Sequence, residues 1–219
     1  MALFNALPAD LLSRLFTKAR TRELAAKTEL FPAGAPGDEC YRVEKGLLKV
    51  SVISKDGIER TLSIVGANSV IGELSMLDGR PRSAAVTALT DCRLKYISRV
   101  EFERFAAQVP TIYKHLTKLL AGLVRDTDSS VAAGSFLSNE GRLAWAFLKL
   151  AQEFGSNDGP GRIAIRLKLS QSEYGSLAGV SRENASRILN NWMRQGILSR
   201  ATSHYTILNK GQLEKIAQI

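Results

Sequence analysis

The chain has 219 residues, which is enough for two domains with separate cores, and it contains no apolar run long enough to span a membrane. Its two isolated cysteines, Cys40 and Cys92, exclude a disulfide framework and a cysteine-rich metal cluster. With 30 lysines and arginines against 21 acidic residues, the formal net charge of +9 agrees with an acidic macromolecular partner, although ribosomal and membrane-surface proteins share this property.

The N-terminus gives little sign of a targeting segment. Residues 1–5 lack a basic segment followed by an apolar one, so we expect no secretory signal and a cytoplasmic protein with two inert, partly buried thiols. A short amphipathic helix is predicted to begin near Pro8. Its apolar positions are Leu11, Leu12, Leu15 and Phe16.

From residue 28 to about residue 98, short apolar segments alternate with turns rich in Gly, Asn and Asp. Lys55, Asp56 and Gly57 form a hairpin signal between two of these segments. Many short strands spaced by such turns predict a β-sandwich or barrel, most simply a jelly roll. The predicted strands cover residues 41–43, 47–53, 58–65, 84–89 and 93–97.

Residues 72–83, Gly-Glu-Leu-Ser-Met-Leu-Asp-Gly-Arg-Pro-Arg-Ser, lie between two predicted strands. Gly72 allows a ligand to approach the backbone, and the free N–H groups of a helical turn that starts at Leu74 can bind an anion. Asp78 and Gly79 predict a turn that brings the following residues back toward this helix start.

Three side chains of this stretch suit a nucleotide. Arg82 can neutralise a phosphate and Ser83 can add a hydroxyl, whereas the carboxylate of Glu73 suits a sugar hydroxyl on the same ligand. A phosphate beside a ribose describes a nucleotide, so Gly72, Glu73, Leu74, Arg82 and Ser83 are the candidate ligand site. The alternative is an ordinary surface turn with a solvated arginine.

Residues 111–137 follow Pro110 and predict one long helix with two adjacent apolar stripes. One stripe can pack on the roll, and the other then needs a partner, for which a parallel coiled-coil homodimer is the simplest explanation. The alternative is a lone amphipathic helix packed wholly in its own domain. The first stripe is Ile112, Leu116, Leu119 and Leu123, and the second is Leu120, Val124, Thr127 and Val131.

The remaining residues, 138–219, predict a helical domain. A helix is expected from Asn139 to about Phe154, followed by an exposed loop at residues 155–161. Ser170 and Glu173 form a capping-box pattern at the start of a second helix. The apolar face of the first of these helices is Leu143, Phe147, Leu150 and Ala151.

A helix-turn-helix is predicted around Gly179, which ends the second helix before Ser181 caps a third. The third helix should bury Ala185, Ile188, Leu189 and Trp192 and present Arg182, Glu183, Ser186 and Arg187 outward. Residues 196–198 and 205–207, around 201–203, predict a small β-wing.

The outward residues suit double-stranded DNA. Arg182 and Arg187 can each bind the major-groove edge of a guanine, and Glu183 can accept from a cytosine amino group. Hydroxyls at helix starts suit phosphate oxygens, which position a protein without reading sequence. The alternative is a charged, solvated helix face. The hydroxyls concerned are those of Ser170, Ser172 and Ser181.

Two motifs carry a resemblance to a known family. Gly-Glu-Leu at 72–74 followed by Pro-Arg-Ser-Ala at 81–84 resembles the phosphate-binding cassette of cyclic-nucleotide receptors. Ser-Arg-Glu-x-x-x-Arg at 181–187 resembles the recognition helix of the cyclic AMP receptor (CRP/FNR) family of bacterial transcription regulators. The resemblance implies an α+β fold with a cyclic-nucleotide-binding jelly roll at 1–110, a dimerisation helix at 111–137 and a winged helix-turn-helix domain at 138–219.

The resemblance also implies site roles and partners. It places Glu73 on the ribose and Arg82 and Ser83 on the cyclic phosphate. It also implies that the recognition helix reads TGTGA-type half-sites and that RNA polymerase is a further partner. Thr127 matches a residue that holds the base, whereas Asp128 replaces a serine that reaches the partner subunit's ligand. An aspartate can accept from adenine or from guanine, so we expect cyclic AMP and leave cyclic GMP open. Asn184 departs from the family's usual threonine.

Two alternatives have less support from the sequence. A redox, haem or carbon-monoxide sensor of the same fold would need an iron–sulfur cluster, which the isolated cysteines argue against, or a haem ligand, which could only be His115 or His204. A nucleotide hydrolase would need a metal cluster or a paired acid and base, but Glu73 stands alone. We therefore expect no catalytic residues and no metal.

Overall fold

The structure is a computed structural model that describes residues 8–202 and 204–218. The prediction about a secretory signal at residues 1–5, and Ser203 of the predicted wing, lie outside the described residues. The chain divides into two compact units, Met1–Thr127 and Asp128–Ile219. The three-part division predicted from the sequence stays a prediction. Within the described residues, no helix is long and apolar enough to cross a membrane.

The first unit is built on two antiparallel four-stranded sheets. Its strands are β1 (Arg20–Leu24), β2 (Glu29–Phe31), β3 (Glu39–Lys45), β4 (Leu48–Ile53), β5 (Glu59–Val65), β6 (Val70–Ile71), β7 (Ala85–Ala88) and β8 (Cys92–Ser98). One sheet has the order β1-β8-β3-β6 and the other β2-β7-β4-β5. The predicted β-rich N-terminal domain is therefore confirmed.

The predicted start of the strand series near residue 28 is wrong, because β1 precedes it. Its sequence, Arg-Thr-Arg-Glu-Leu, has a single apolar side chain and no alternation, so the hydrophobic pattern gives no strand signal. The strand forms because its backbone pairs with β8, from Arg20 opposite Tyr96 to Leu24 opposite Cys92.

The first unit has two apolar clusters, and β3 contributes to both because successive side chains of a strand point to opposite faces. Val43 belongs to the cluster between the two sheets, with Leu48 and Leu94. Cys40 belongs to the cluster on the other face, which the helices cover. Those helices are α1 (Ala9–Leu15), α2 (Glu73–Asp78), α3 (Arg99–Gln108) and the first turns of α4 (Thr111–Phe136).

The two stripes of α4 have different environments. Ile112 and Leu116 are buried in the helix-covered cluster, and Leu119 and Leu123 pack against it. The second stripe stays exposed, with 38% of the surface of Leu120, 58% of Val124 and 62% of Val131 accessible to solvent. The alternative, in which α4 packs wholly within its own domain, therefore does not describe this helix.

The second unit combines helices α5 (Asn139–Phe154), α6 (Gln171–Ala178), α7 (Arg182–Arg194) and α8 (Lys210–Ile216) with one small sheet. The sheet has the order β11-β12-β10-β9. Its strands are β9 (Gly155–Asn157), β10 (Ile163–Ile165), β11 (Leu198–Ala201) and β12 (His204–Ile207). The winged helix-turn-helix predicted for this part of the chain is confirmed.

The predicted loop at residues 155–161 is partly wrong, since its first three residues form β9. Gly-Ser-Asn has little strand propensity, but its backbone pairs with β10, where Gly155 lies opposite Ile165. Residues 155–161 are exposed, as predicted.

An aromatic cluster holds the second unit together. Phe147 of α5 stacks on Tyr174 of α6 with ring centroids 4.8 Å apart, and Trp192 of α7 and Tyr205 of β12 meet Phe147 edge-on at 6.0 and 5.5 Å. Offset and edge-to-face pairs of this kind are the preferred aromatic geometries. The cluster fixes the helix-turn-helix and the wing on α5.

Candidate functional site

The short helix α2 begins and ends at glycines with left-handed backbone, Gly72 at φ 74° and Gly79 at φ 76°. A side chain at either position would be strained. The N-cap residue Gly72 has no side chain that could bond the first N–H groups of α2. The N–H of Glu73 donates to the carboxylate of the same residue, and the N–H groups that follow it are available to an anion.

Arg82 returns to the start of α2, as the turn signal predicts. Its Nη1 atom donates to the carbonyl of Gly72 at 2.7 Å and to the carbonyl of Glu39 at 2.9 Å. These bonds hold the guanidinium beside the helix start, where an anion would meet both the arginine and the free N–H groups. The structure therefore brings Arg82, Gly72 and Glu73 together.

The guanidinium of Arg82 is deeply buried, with 5% of the residue exposed. Its carbon lies 4.2 Å from the ring centroid of Phe31, a cation–π contact, and its described hydrogen bonds go to carbonyls rather than to carboxylates. Its Nε atom has no hydrogen-bond partner among the described residues. Burial lowers the pKa of Arg82, but an arginine stays protonated in proteins. A buried cation with an unused donor favours an anion as its ligand.

Gly37 is a site residue that the sequence reasoning missed. A Cβ atom built on Gly37 would lie 2.1 Å from Nε of Arg82, although the backbone there does not have the left-handed conformation that requires glycine. The surrounding loop is held by two backbone bonds of 2.8 Å, from Gly34 N–H to the carbonyl of Arg82 and from Arg82 N–H to that of Ala35. Gly37 is a glycine because the Arg82 side chain occupies the space that a Cβ atom would take, and not because of its φ angle. No turn pattern in the sequence marks such a glycine.

Cys40 is buried behind the helix start, and Glu73, the first residue of α2, is half-buried near it. Burial raises the pKa of Glu73 to about 7, against the opposing effects of its own backbone N–H and the charge of Arg82. Burial and the neighbouring Glu73 raise the pKa of Cys40. Both cysteines are buried rather than partly buried: Cys40 belongs to the helix-covered cluster and Cys92 to the cluster between the sheets. The thiol of Cys92 donates to the carbonyl of Thr90 at 3.1 Å.

The other predicted ligand residues are more exposed than Arg82. Leu74 is half-buried and Ser83 is exposed beside Arg82. Thr127 is exposed on α4, and its hydroxyl donates to the carbonyl of Leu123 on its own helix at 2.9 Å rather than to the α2 region. Asp128, the next residue, is also exposed.

The helix-turn-helix forms through the predicted caps. The side chain of Ser170 accepts from the N–H of Glu173 at 3.2 Å while the Glu173 carboxylate accepts from the N–H of Ser170 at 2.6 Å. Gly179 ends α6 at φ 64°, and Ser181 caps α7 by accepting from the N–H of Asn184 at 3.3 Å. Because these hydroxyls accept through a lone pair, their protons remain available for a phosphate oxygen.

The outward face of α7 matches the prediction for the three charged residues, whereas Ser186, also predicted to face outward, is half-buried. Arg182, Glu183 and Arg187 are exposed, whereas the opposite face is buried. Ser172 is exposed on α6, like Ser170 and Ser181 at the helix starts. The buried residues of α7 are Ala185, Ile188, Leu189 and Trp192.

Sequence reasoning missed how α7 is fixed to α5. The indole N–H of Trp192 donates to Oε1 of Glu140 at 2.8 Å, which satisfies a donor on a fully buried side chain. Gly175 of α6 allows a second close approach, because a Cβ there would lie 2.7 Å from the carbonyl of Val180 in the turn. Both contacts set the position of the exposed face of α7.

Comparison with known proteins finds a family match for each of the two regions of the chain. Residues 21–109 match the cyclic nucleotide-binding domain family, and residues 141–216 match the Crp-like helix-turn-helix domain family. The chain is 34% identical over 167 residues to the CRP-like cAMP-activated global transcriptional regulator of Mycobacterium tuberculosis, a match that covers 76% of this chain and 74% of that protein. The chain belongs to the CRP/FNR family of transcription regulators.

Other members of this family and fold are similar over more of the chain. The cyclic AMP receptor protein of Thermus thermophilus is 30% identical over 195 residues, which is 86% of this chain and 87% of that protein. The structure of FixK2 from Bradyrhizobium japonicum has a TM-score of 0.81 at 19% identity and covers 92% of this chain and 98% of that one. At that identity the likeness concerns the fold alone.

Membership of the CRP/FNR family has direct consequences. Its members are transcription regulators rather than enzymes, so the hydrolase alternative is set aside. The family implies DNA binding and dimers, and the matched cyclic nucleotide-binding domain supports a cyclic nucleotide as the effector.

The raised pKa of Glu73 predicts a pH-dependent stability. The folded protein binds the proton of the Glu73 carboxyl more tightly than the unfolded chain does, in which the pKa of this carboxyl is near 4.5. The stability that the protonated Glu73 contributes is therefore fully present below pH 4.5 and is lost as the pH rises through about 7. A glutamine at this position cannot ionise, so Glu73→Gln should keep the stability that the unsubstituted protein loses. The free energy of unfolding of the variant minus that of the unsubstituted protein should rise by on the order of 1–3 kcal/mol between pH 5 and pH 8. Urea denaturation across this range measures the difference, and parallel pH profiles would contradict the assignment.

Gly37→Ala should displace the Arg82 guanidinium, since the added methyl group overlaps Nε. We expect cyclic-nucleotide binding to weaken by about 1.5–3 kcal/mol, the scale of hydrogen bonds to a charged group. A double-mutant cycle in the calorimeter provides the control, because the effect should vanish when Arg82 is already alanine. An equal loss of affinity in both backgrounds would show that Gly37 acts on something other than Arg82.

Proposed function

We propose that this CRP/FNR-family chain is a dimeric transcription regulator that responds to cyclic AMP and binds TGTGA-type palindromic DNA sites. The observation that carries the effector part is the buried Arg82 guanidinium, whose Nε has no described partner and which lies beside the uncapped start of α2. Cyclic AMP is supported as the nucleotide by the cAMP-activated regulator of Mycobacterium tuberculosis and by the cyclic AMP receptor protein of Thermus thermophilus, to which the chain is similar.

Each group of a cyclic nucleotide has a complement in this region. The cyclic phosphate would accept from Arg82, from the free N–H groups at the start of α2 and from the Ser83 hydroxyl. The ribose hydroxyl would donate to Glu73, whose pKa of about 7 leaves a substantial fraction ionised at neutral pH. Gly72 and Leu74 would contribute backbone rather than side-chain contacts.

The base is assigned to α4. Thr127 would bond the base after releasing the Leu123 carbonyl of its own helix, and Asp128 of the second copy would accept from the amino group of adenine. Guanine also presents an amino group and a ring N–H, so cyclic GMP is the second candidate effector, favoured by the aspartate at this position.

The dimer is assigned to the exposed stripe of α4. Leu120, Val124 and Val131 follow the 4-3-4 spacing of a coiled-coil seam, with Thr127 between them, and their exposure favours burial against the same stripe of a second copy. Since Thr127 lies on this seam, ligand binding there would bias how the two helices pair.

DNA recognition is assigned to α7. Arg182, Glu183 and Arg187 would read base edges in the major groove, while Ser170, Ser172 and Ser181 would hold phosphates. Two copies of α7 related by a dimer would fit half-sites one helical turn apart. The exposed residues 155–161 are a candidate contact for RNA polymerase by resemblance to the family alone.

Calorimetric titration with cyclic AMP and with cyclic GMP tests the effector. Arg82→Leu should weaken the binding of either nucleotide by about 1.5–3 kcal/mol or more, because it removes charge-assisted bonds to the phosphate. Arg80→Leu is the matched control, since Arg80 is exposed two residues away. An unchanged affinity in Arg82→Leu would refute the phosphate assignment.

Competition binding with substituted operators tests the DNA assignment. Arg187→Ala should reduce discrimination at one guanine of the half-site by about 1–3 kcal/mol and leave the other positions as they were. Arg194→Ala removes an exposed arginine from the last turn of the same helix and should leave base preference unchanged. If Arg187→Ala weakens binding to all operators evenly, its contact is with a phosphate.

A further inference from the structure

Arg99 holds the C-terminal end of α2. This residue is the first of α3, and its Nη2 atom donates to the carbonyl of Ser75 at 2.8 Å. A Cβ atom built on Gly79, the C-cap of α2, would lie 3.1 Å from Nη1 of Arg99, so the guanidinium lies against the helix end. The backbone N–H of Arg99 donates to the carbonyl of Asp38 at 2.7 Å.

The electrostatics of α2 explain why an arginine suits this position. The carbonyl of Ser75 already accepts from the N–H of Gly79 at 3.0 Å, and Arg99 adds a second, charged donor at this oxygen. The C-terminal end of a helix carries a partial negative charge, which a cation stabilises. The last turn of α2 contains no basic residue of its own, so the cation comes from α3. Arg82 holds one end of α2 through Gly72, and Arg99 holds the other.

The contacts of Arg99 lead from α2 toward α4. The start of α3 is fixed by a capping box between Ser98 and Glu101. Met76 of α2 is buried in the same apolar cluster as Phe102 of α3 and Ile112 of α4. Apolar contacts of this kind have no direction, whereas the Arg99–Ser75 bond joins one defined atom of α2 to the first residue of α3.

We propose that Arg99 couples effector binding to the pairing of α4, by transmitting a displacement of α2 to α3. The inference rests on the proposed function, in which the phosphate binds at the start of α2. A phosphate that draws the first turn of α2 toward Arg82 moves the Ser75 carbonyl with it, because the whole helix is only six residues long. Arg99 then moves the start of α3, and α3 leads directly into α4.

The test separates ligand affinity from coupling. Calorimetry gives the dissociation constant of cyclic AMP without DNA, and fluorescence anisotropy gives that of a TGTGA-type duplex with and without saturating cyclic AMP. The ratio of the two DNA constants measures the coupling. Arg99→Gln removes the charge, Arg99→Lys keeps it, and Arg80→Gln removes an equal charge from an exposed position near α2.

In Arg99→Gln, we expect cyclic AMP affinity to stay within about threefold of the native value while the coupling ratio falls about tenfold, within the usual range of allosteric coupling. Arg99→Lys should retain most of the coupling and Arg80→Gln all of it. A thermal melt of each variant checks folding, and the lysine variant serves if the glutamine variant unfolds.

Two results would overturn the inference. A coupling ratio in Arg99→Gln equal to the native ratio would make Arg99 a passive cap, and a loss of cyclic AMP affinity as large as the loss of coupling would make it a support of the ligand site. Failure of the proposed function is visible separately, because the native protein itself would then bind no cyclic nucleotide or show no coupling.

Discussion

The first unit keeps one positive charge buried, that of Arg82, and the hydrogen bonds that its guanidinium makes among the described residues go to carbonyls rather than to carboxylates. The Arg82 guanidinium is held by the carbonyls of Gly72 and Glu39, by the ring of Phe31 and by the absence of a side chain at Gly37. Burial of an incompletely satisfied cation is unfavourable, and an anionic ligand relieves that cost. The same requirement explains Gly72, because a Cβ atom there would lie 2.6 Å from Nη1 of Arg82.

The helices next to Arg82 and the second unit can be related to the function proposed for that site. Helix α2 packs through Met76 on α3 and α4, and α4 in turn has one buried and one exposed apolar stripe. In the second unit, the Phe147 cluster and the Glu140–Trp192 bond fix α7 so that its charged face is exposed. A ligand that alters how α4 pairs with a second copy would therefore change the relation between two rigid recognition helices.

Much of this could be predicted where a local pattern specifies the structure. The capping box of Ser170 and Glu173, Gly179 and the stripes of α4 depend on sequence spacing, and the structure has them as predicted. Contacts between distant residues could not be predicted in the same way. Strand β1 forms by pairing across 70 residues of chain, and Gly37, Arg99 and Glu140 matter because of neighbours that no local pattern reveals.

The most direct test of the central claim, that a cyclic nucleotide at Arg82 controls DNA binding, is fluorescence anisotropy of the native protein on a labelled TGTGA-N6-TCACA duplex at fixed salt. The duplex is titrated without nucleotide, with cyclic AMP and with cyclic GMP. We expect tight binding with cyclic AMP and much weaker binding without nucleotide. Equally tight binding under all three conditions would contradict effector control, and no binding under any of them would contradict the proposed DNA site or effector.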